Sequence, residues 1–320
     1  MFGSLRVGWA FGDLRVRRPP PNMRGWLSMD IEKFLKRHAG VREVLAAPRA
    51  IRRRLIRWRR EPAQTILARL GDISVGDLVV RVDEYQGSFR ISARSHLLLR
   101  LLEHGEYEPA LSKIFLEHID PERDVIDVGA NIGFYSVAAA KKLTSGRVLA
   151  IEPTVGACER LNHNIKLNGV ENKVVVFQGV ALDKSRETSV NFVRGMEEYS
   201  SVGSLIHHAT SGQEVESIAV SGASIDDLVR DNRLTPALVK IDTEGAEHLV
   251  LQGARQTIEN FRPIVIAEFI PRFIREAGGD PETILEMFRD LGYEIRNPLD
   301  PLSRVDAMEF GDIICIPPRI

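Results

Sequence analysis

Four acidic residues, each at the end of a short apolar run, offer the clearest chemistry in this sequence. They are Asp127, Glu152, Asp242 and Glu268. Apolar runs of roughly 4–8 residues are typical of buried strands, and ligands of open α/β sheets bind beyond the carboxyl ends of the strands. Carboxylates at that edge can bind a cation, accept hydrogen bonds from hydroxyls or remove a proton. We therefore expect these four acids to share one site.

A glycine-containing turn surrounds the first of these acids. Gly129, Asn131 and Gly133 alternate after Asp127, and a helical pattern begins at Phe134. Glycine, and less often asparagine, supplies the positive φ that such a turn needs. A strand, a tight turn and a helix N-terminus together present backbone N–H groups to a ligand, so we expect a binding site here.

Three interpretations of this turn are open. A dinucleotide-binding turn has the pattern Gly-x-Gly-x-x-Gly, but Asn131 and Phe134 replace two of its glycines. The acidic-x-Gly-x-Gly-x-Gly turn of S-adenosylmethionine enzymes is matched by Asp127, Gly129 and Gly133, with Asn131 at the middle glycine. That ligand carries an ammonium and a sulfonium, which suit an aspartate. The third interpretation is an ordinary turn without a ligand.

The position of Glu152 narrows the choice. It lies nineteen residues after Gly133, close to the separation of about 20 residues at which an acid meets the ribose hydroxyls of a nucleotide cofactor. This spacing suits NAD and S-adenosylmethionine alike, whereas a carboxylate would repel the additional phosphate of NADP. Glu152 and the glycine turn together favour a cofactor site over a turn without a ligand.

The elements that must position these acids alternate between strand and helix, which predicts a parallel α/β sheet with helices on both faces. The predicted strands are 125–128, 147–151, 174–177 continuing through 179–183, 188–193, 237–241, 264–267, 293–295 and 312–316. The predicted helices begin at Phe134, cover 155–167 and 281–291, and include one helix that buries Ala246, Val250, Ala254 and Ile258. The polar segment 194–222, with His207 and His208, is predicted to be an irregular lid or binding loop.

The N-terminal region differs in charge from the rest of the chain. Residues 1–60 hold sixteen Lys or Arg against four acids, a balance of +12 within a chain of net charge −1. Residues 1–30 show no period and are interpreted as poorly ordered, whereas helical spacing predicts helix between residues 30 and 70. The basic stretch 41–60 could pack on the protein, contact an anionic membrane or, least compatibly with the acidic body, touch nucleic acid.

These patterns predict three regions and a cytoplasmic protein. The regions are a basic extension over 1–70, a hairpin and helical lead-in over 71–120, and a cofactor-binding domain over 121–320. The hairpin is predicted at 73–92 and the lead-in helices at 95–104 and 110–118. Cys158 and Cys315 are the two cysteines, too few for a disulfide framework and compatible with a reducing compartment. No apolar run reaches the roughly 20 residues needed to cross a bilayer.

At Val239-Lys-Ile-Asp242-Thr-Glu244-Gly-Ala-Glu247, with Gly253-Ala254 and Glu268 following, the sequence resembles the FkbM-type methyltransferases. The turn from Asp127 to Gly133, Asn168-Gly169 and Ala181-Leu-x-Asp183 agree with that family in order and spacing. The resemblance covers about residues 100–270. It implies the class I methyltransferase Rossmann-like fold, a mostly parallel seven-stranded sheet, preceded here by the basic, partly helical extension.

The resemblance also implies a cofactor and its contacts. The cofactor would be S-adenosylmethionine, and the reaction would be O-methylation of a sugar, a glycolipid or polysaccharide, or a secondary metabolite. The implied cofactor residues are Asp127, Gly129, Ala130, Asn131 and Gly133 at the methionine end, Glu152 and Pro153 at the ribose, and Val180 and Ala181 beside the adenine. The methyl acceptor and the oligomeric state are not indicated by the sequence.

Methyl transfer to a hydroxyl also needs a residue that removes a proton. The candidates are Asp242, Glu244, Glu247, His248 and Glu268, and we favour Asp242, which ends a strand near the expected methyl group. Asp242, Glu244 and Glu268 could alternatively bind a hard divalent ion such as Mg²⁺. Glu247 and His248 could instead lie on an exposed helix face.

Two other functions are compatible with these patterns. An inactive S-adenosylmethionine-binding module, docked by its basic N-terminus, is disfavoured by the acids at 242, 244 and 268. An NAD-dependent oxidoreductase is disfavoured by the two missing glycines.

Overall fold

The computed structural model describes residues 5–8, 41–44, 76–194, 196–202, 212, 214–300, 305 and 311–318. The chain divides into two compact units, Met1–Tyr107 and Glu108–Ile320. No helix among these described residues is long and apolar enough to cross a membrane.

The first unit contains a four-stranded sheet in the order β2-β1-β3-β4. The strands are β1 (Leu5–Gly8), β2 (Val41–Val44), β3 (Asp77–Val82) and β4 (Gly87–Ser92), followed by helix α1 (His96–His104). Strands β3 and β4 pair as the predicted antiparallel hairpin. Helix α1 begins where Ser95 accepts a hydrogen bond from the backbone N–H of Leu97, a common N-cap arrangement.

Two predictions for the N-terminal region are wrong where the structure describes it. Residues 5–8, interpreted as poorly ordered, form β1, and residues 41–44, predicted to be helical, form β2. Strand β1 pairs with β2 and with β3, so pairing partners distant in sequence decide the conformation, as is common for short strands. The rest of the basic stretch 41–60 lies outside the described residues.

The second unit is built on a seven-stranded sheet in the order β14-β15-β13-β12-β5-β6-β7. Its strands are β5 (Asp124–Val128), β6 (Val148–Glu152), β7 (Val174–Gln178), β12 (Pro236–Ile241), β13 (Ile264–Glu268), β14 (Glu294–Arg296) and β15 (Asp312–Ile316). The first five are mutually parallel, and β15 runs antiparallel to both of its neighbours. The predicted class I methyltransferase sheet is confirmed.

Helices connect these strands and cover the sheet. They are α2 (Pro109–Glu117), α3 (Phe134–Lys142), α4 (Val155–Leu167), α5 (Ile225–Asn232), α6 (Glu247–Gln252), α7 (Arg255–Phe261), α8 (Pro271–Glu276) and α9 (Pro281–Asp290). Every residue of β5 and β6 is buried, as expected of parallel strands covered on both faces. The main core contains apolar residues from β5, β6, β12 and β13 and from the helices after β12.

The single helix predicted after Asp242 is wrong, because the chain forms α6 and α7 instead. Its four predicted inward positions are nevertheless buried. At the break, a Cβ on Gly253 would lie 1.9 Å from the carbonyl oxygen of Leu182, so only glycine allows this approach. Helix α7 restarts against Asp226, whose Oδ1 accepts hydrogen bonds from the backbone N–H and hydroxyl of Thr257.

A second sheet occupies the segment between β7 and β12. Its order is β10-β9-β11-β8, and its strands are β8 (Val180–Ala181), β9 (Arg186–Phe192), β10 (Ser201–Val202) and β11 (Glu216–Ala223). The extra strand predicted at 188–193 is confirmed as β9. The chain leaves the main sheet after Gln178, so the predicted continuation of that strand through 179–183 is wrong.

The prediction of an irregular segment over 194–222 is wrong at residues 201–202 and 216–222, which form β10 and most of β11. Strand β11 pairs antiparallel with β9 over seven residue pairs, from Glu216↔Phe192 to Gly222↔Arg186. This strand is recognised from its pairing with β9, because strand formation depends on the neighbouring strand as well as on local sequence. His207 and His208 lie outside the described residues.

Candidate active site

The four strand-end acids lie on four neighbouring strands, in the order β13, β12, β5, β6. Glu152 and Glu268 are the last residues of β6 and β13, Asp127 is the penultimate residue of β5, and Asp242 directly follows β12. Because these strands are parallel, their carboxyl ends meet at one edge. The structure thus brings together the acids that the sequence singled out.

The turn after β5, which we call the cofactor turn (Asp127–Gly133), adopts the predicted left-handed conformations. Gly129, Asn131 and Gly133 have φ values of 78°, 48° and 90°. An added Cβ on Gly129 would lie 1.8 Å from the backbone oxygen of Asp242, so this glycine lets the turn approach the end of β12. Ala130 donates its backbone N–H to the carbonyl of Ile151, 2.9 Å away, which ties the turn to β6.

Glu152 holds the cofactor turn from the neighbouring strand. Its Oε2 accepts the backbone N–H of Asn131 at 2.9 Å, and its Oε1 accepts the backbone N–H and hydroxyl of Thr154 at 2.9 and 2.6 Å. The residue is 3% exposed. Burial, only partly offset by these hydrogen bonds, raises the pKa of Glu152 to about 7. The carboxyl is therefore poised to change charge near neutral pH.

Asp127 is almost completely buried. It is 1% exposed, and its Oδ2 accepts the hydroxyl of Ser136 in the first turn of α3 at 2.6 Å. Its buried Oδ1 has no hydrogen-bond partner among the described residues. Burial raises the pKa of Asp127, and the positive charge of Lys240 opposes that effect. A contact between Asp127 and a cofactor ammonium stays a prediction.

The remaining predicted cofactor residues follow the ends of β6 and β7. Pro153 follows Glu152 directly and is buried. Val180 and Ala181 form β8 and are buried, just after the point where Gly179 donates its backbone N–H to the carbonyl of Glu152 at 3.1 Å. The contacts of Pro153 with a ribose and of Val180 and Ala181 with an adenine stay a prediction.

Asp242, the predicted base, is paired with a buried lysine. Its Oδ2 lies 2.8 Å from Nζ of Lys240, and the side chains are 35% and 4% exposed, respectively. Lys240 also places its Nζ 4.6 Å from the centre of the Tyr135 ring. Asp242 is therefore open to a ligand on one side and fixed on the other.

Carboxylates gather around Asp242 in what we call the acid cluster (Asp242, Glu244, Glu268 and Asp312). One side-chain oxygen from each of Asp242, Glu244 and Glu268 lies within 4.8 Å of the others, and Asp312 pairs with Glu268 across β13 and β15. Burial, then the charges of Asp242 and Glu244, raise the pKa of Glu268 well above its ordinary value. Burial, then the charge of Asp242, raise the pKa of Asp312 to about 7.

The loop that carries Glu244 is held by Glu247, which the sequence offered as a base or an exposed residue. The exposed interpretation is wrong, because Glu247 is 2% exposed. Its Oε1 accepts the backbone N–H groups of Thr243 and Gly245 and the hydroxyl of Thr243 at 3.0, 3.2 and 2.8 Å. Glu247 thereby stabilises the loop, in which Glu244 has a φ of 53°. A left-handed non-glycine residue is a strained feature often found at functional sites.

His248 is half-buried and faces Gly279, where an added Cβ would meet its ring at 2.5 Å. Its Nδ1 lies 3.3 Å from the carbonyl of Gly245, and burial lowers its pKa. Its predicted catalytic role stays a prediction.

Sequence reasoning missed two members of this site. Lys240 was read only as part of a family pattern, although a lysine inside an otherwise apolar strand is a signal of a buried partner. Asp312 begins a strand that runs antiparallel to its neighbours, so a search for acids at strand ends overlooks it. The antiparallel direction of β15 brings its first residue to the edge where the parallel strands end.

Comparison with known proteins identifies relatives of the second unit. A family model described as "Methyltransferase FkbM domain" matches residues 127–295, more than half of the chain. The hexuronic acid methyltransferase AglP of Haloferax volcanii is 24% identical over 238 residues, covering 73% of this chain and 88% of that protein.

Other similarities are shorter or more distant. A ribosomal protein L11 methyltransferase of Pelotomaculum thermopropionicum is 36% identical over 110 residues, 34% of this chain, and the match spans only 31% of that relative's length. A crystal structure of a methyltransferase FkbM from Methylobacillus flagellatus is 16% identical, with 89% of this chain and 69% of that chain covered and a TM-score of 0.39.

Proposed function

Because the chain belongs to the FkbM methyltransferase family, we propose that it transfers the methyl group of S-adenosylmethionine to a hydroxyl of a sugar, a glycolipid or polysaccharide, or a secondary metabolite. The observation that carries the proposal is the single edge on which the cofactor turn and the acid cluster meet, with Gly129 against the backbone of Asp242. A cofactor site and a proton acceptor side by side are what this reaction requires.

The residues at this edge suit the chemical groups of the cofactor. S-adenosylmethionine supplies an activated methyl group, two ribose hydroxyls and a cationic methionine end. Glu152 accepts one hydrogen bond through Oε2, and a carboxylate oxygen has capacity for a second, so it can hold a ribose hydroxyl. The cofactor turn (with Gly129, Ala130, Asn131 and Gly133) would hold the methionine end, Pro153 would border the ribose, and Val180 and Ala181 the adenine.

Asp242 is our choice for the residue that removes the acceptor's proton. Its backbone approaches the cofactor turn at Gly129, and its side chain is 35% exposed. Lys240 fixes Oδ2, and the second oxygen can accept the hydroxyl proton. A positioned base of this kind contributes about 10²–10⁴-fold to a rate.

The acceptor class rests on chemistry and on one relative. Carboxylates such as Glu244 and Glu268 accept hydrogen bonds from the several hydroxyls of a sugar. AglP, which aligns over most of its length, is named a hexuronic acid methyltransferase. A carbohydrate hydroxyl is therefore the first acceptor to test.

A divalent ion is a second possible ligand of Asp242, Glu244 and Glu268. Three carboxylate oxygens within 4.8 Å and the buried Glu268 Oε2, which has no hydrogen-bond partner among the described residues, match the all-oxygen donor set of Mg²⁺. Such an ion would lower the pKa of a bound hydroxyl. Activity that survives EDTA unchanged would exclude this role.

Calorimetry with S-adenosylmethionine, S-adenosylhomocysteine and NAD tests the cofactor directly. We expect the first two to bind and NAD not to bind; the reverse result would favour an oxidoreductase. Transfer of labelled methyl to a panel of uronic acids, neutral sugars and glycolipids then tests the reaction. Binding without transfer to any hydroxyl compound would favour an inactive binding module.

Contact with an anionic membrane through residues 41–60 is a separate proposal, supported by the basic residues of that stretch. Co-sedimentation with vesicles containing phosphatidylserine would test it. Binding that is unaffected by the anionic lipid would contradict it, because the expected attraction is about 1 kcal/mol per basic residue near the surface.

A further inference from the structure

Lys240 is a charged residue in the interior of the sheet, and the proposed reaction has not yet given it a role. It is 3% exposed and lies on β12, flanked by the buried Val239 and Ile241. Taking an ammonium out of water without compensation costs several kcal/mol, so a buried lysine either loses its proton or has close partners. The identity of those partners therefore decides what Lys240 can do.

Three acids and one aromatic ring surround the ammonium. Asp242 is 2.8 Å away, Asp127 is the residue opposite Lys240 in the β5–β12 pairing, and Glu108 is also within electrostatic range. The Tyr135 ring lies 4.6 Å from Nζ, a distance at which the face of a ring attracts a cation. Tyr135 is in turn held by its hydroxyl, which donates to Glu108 at 2.9 Å.

These partners keep the lysine charged. Burial alone would lower the pKa of Lys240, but the negative charges of Asp242, Asp127 and Glu108 outweigh it, and the pKa is raised. The contact with Asp242 at 2.8 Å and the neighbouring Asp127 favour the protonated, positively charged form of the side chain. Lys240 is consequently a fixed cation and a hydrogen-bond donor, and it does not itself remove the acceptor's proton.

Of the two strand-end acids beside this cation, Asp242 is the one that is accessible from solvent. Asp127 is 1% exposed, whereas the side chain of Asp242 is 35% exposed at the edge where ligands bind. An exposed carboxylate without a fixed neighbour would sample several rotamers. With Oδ2 bound to an ammonium that cannot move, the carboxylate keeps one orientation.

We propose that Lys240 is a positioning residue for methyl transfer, which holds the Asp242 carboxylate in the orientation that accepts the acceptor's proton. The inference rests on the proposed function of Asp242. Tyr135 supports it by limiting the movement of the ammonium. Small displacements of a reacting group cost as much as about 10²-fold in rate.

Replacement by a side chain of similar length without charge provides the test. In Lys240→Met, we expect kcat to fall about 10²-fold, whereas KM for the acceptor and the Kd of S-adenosylmethionine change by less than about tenfold. Lys173→Met is the matched control, because Lys173 also donates to a protein acceptor, the carbonyl of Leu143, but lies away from the acid cluster. We expect its kcat to stay at the wild-type value.

A double-mutant cycle separates positioning from independent catalysis. If Lys240 acts through Asp242, then Lys240→Met in an Asp242→Asn background reduces kcat by less than about threefold. If the losses in kcat of the two single variants multiply in the double variant, the proposal is wrong. Tyr135→Leu provides a milder variant if Lys240→Met is poorly folded, and should lower kcat while Asp242→Asn again masks the effect.

A crystal structure of Lys240→Met gives a readout that does not depend on turnover. We expect the Asp242 carboxylate to leave its wild-type orientation or to become disordered; an unchanged orientation would overturn the inference. Failure of the proposed function itself would appear differently, as absence of methyl transfer by the wild-type protein.

Discussion

The cofactor turn and the acid cluster lie side by side on one edge of the sheet, but the carboxylates of the two regions differ in how they are paired and hydrogen-bonded. Beside the cofactor turn, at the end of β6, the carboxylate of Glu152 is enclosed by three hydrogen bonds from Asn131 and Thr154. In the acid cluster, four carboxylates share one edge, and Glu268 keeps a buried oxygen without a hydrogen-bond partner among the described residues. The cation described beside that cluster is Lys240, which pairs with Asp242.

The difference indicates how the two regions contribute to function. The carboxylate of Glu152 is already bonded to the turn, so this part of the site is preorganised and changes little when a ligand binds. A group of neighbouring carboxylates, in which the pKa values of Glu268 and Asp312 are raised, is incomplete until protons, hydroxyl donors or a cation join it. We therefore expect substitutions in the cofactor turn to affect binding and stability, and substitutions in the acid cluster to affect turnover.

The largest expected effect is the loss of turnover in Asp242→Asn, which would confirm the acid cluster as the catalytic side. We expect kcat to fall by about 10²–10⁴-fold, because the amide cannot accept the proton. The Kd of S-adenosylmethionine, measured by calorimetry, should change by less than about tenfold. A variant that retains wild-type kcat would remove Asp242 from the mechanism.

The next effect concerns the cofactor turn at its contact with Asp242. In Gly129→Ala, a left-handed φ and a Cβ at 1.8 Å from the Asp242 carbonyl should cost at least about 3 kcal/mol of unfolding free energy. Cofactor binding should weaken by more than about 100-fold.

Gly169→Ala separates conformational strain from the steric clash. Its φ is also positive, at 66°, but no atom lies within 4 Å of the added Cβ. We expect a loss of about 1–2 kcal/mol and unchanged cofactor binding. Equal effects of the two substitutions would show that the close approach at Gly129 does not matter.

In the acid cluster, Glu268→Gln is expected to have a smaller effect, which is an increase in the stability of the protein. The raised pKa of Glu268 means that the folded protein keeps a proton that the unfolded chain loses above about pH 4.5. Wild-type stability therefore decreases as pH rises from that value. The amide removes this dependence and should stabilise the protein at pH 8 and hardly at pH 4.

Thermal unfolding at both pH values measures this difference. Glu276→Gln is the control, since Glu276 is a surface residue that pairs with Arg272, and its removal should change stability by less than about 0.5 kcal/mol. Stabilisation that is equal at pH 4 and pH 8 would contradict the electrostatic explanation.

The smallest effect is a pH dependence of cofactor affinity that arises from Glu152, beside the cofactor turn. Because the pKa of Glu152 is raised to about 7, the carboxyl becomes ionised between roughly pH 6 and pH 8. An ionised carboxylate is the stronger acceptor for a ribose hydroxyl, so the affinity for S-adenosylmethionine should increase roughly fivefold over that range.

Glu152→Gln should abolish the increase in affinity that the ionisation of Glu152 causes. The remaining pH dependence would come from the titration of the ligand's own amino group, which is common to both proteins. Calorimetric titrations at pH 6, 7 and 8 give the difference between the variants. Identical pH dependence in both would indicate that Glu152 does not contact the cofactor.

Much of the cofactor turn could be predicted from the sequence because its information is local. Gly129, Asn131 and Gly133 have few conformational alternatives after a buried strand, and all three take the left-handed conformation. The strand ends at Glu152, Asp242 and Glu268 could also be predicted from the sequence, because the change from apolar to acidic residues coincides with the edge of the sheet.

Predictions failed where distant segments decide the structure. The period of four in Ala246, Val250, Ala254 and Ile258 predicts one helix, but the close approach of Gly253 to Leu182 divides it. Strand β11 pairs with β9 along most of its length, and this partner is not adjacent to it in the sequence. Glu247 has the pattern of an exposed helix residue, yet its carboxylate lies inside the loop that it holds.

The sequence by itself determined the α/β fold, the cofactor turn and the set of acids at the strand ends, because each depends on residues that are neighbours in the chain. Only the tertiary structure decided how those acids are charged and paired. It placed Lys240 between Asp127 and Asp242, brought Asp312 beside Glu268 through an antiparallel strand, and buried Glu152 enough to raise its pKa to about 7. Charge interactions depend on distance and burial, and neither is encoded in the spacing of residues along the chain.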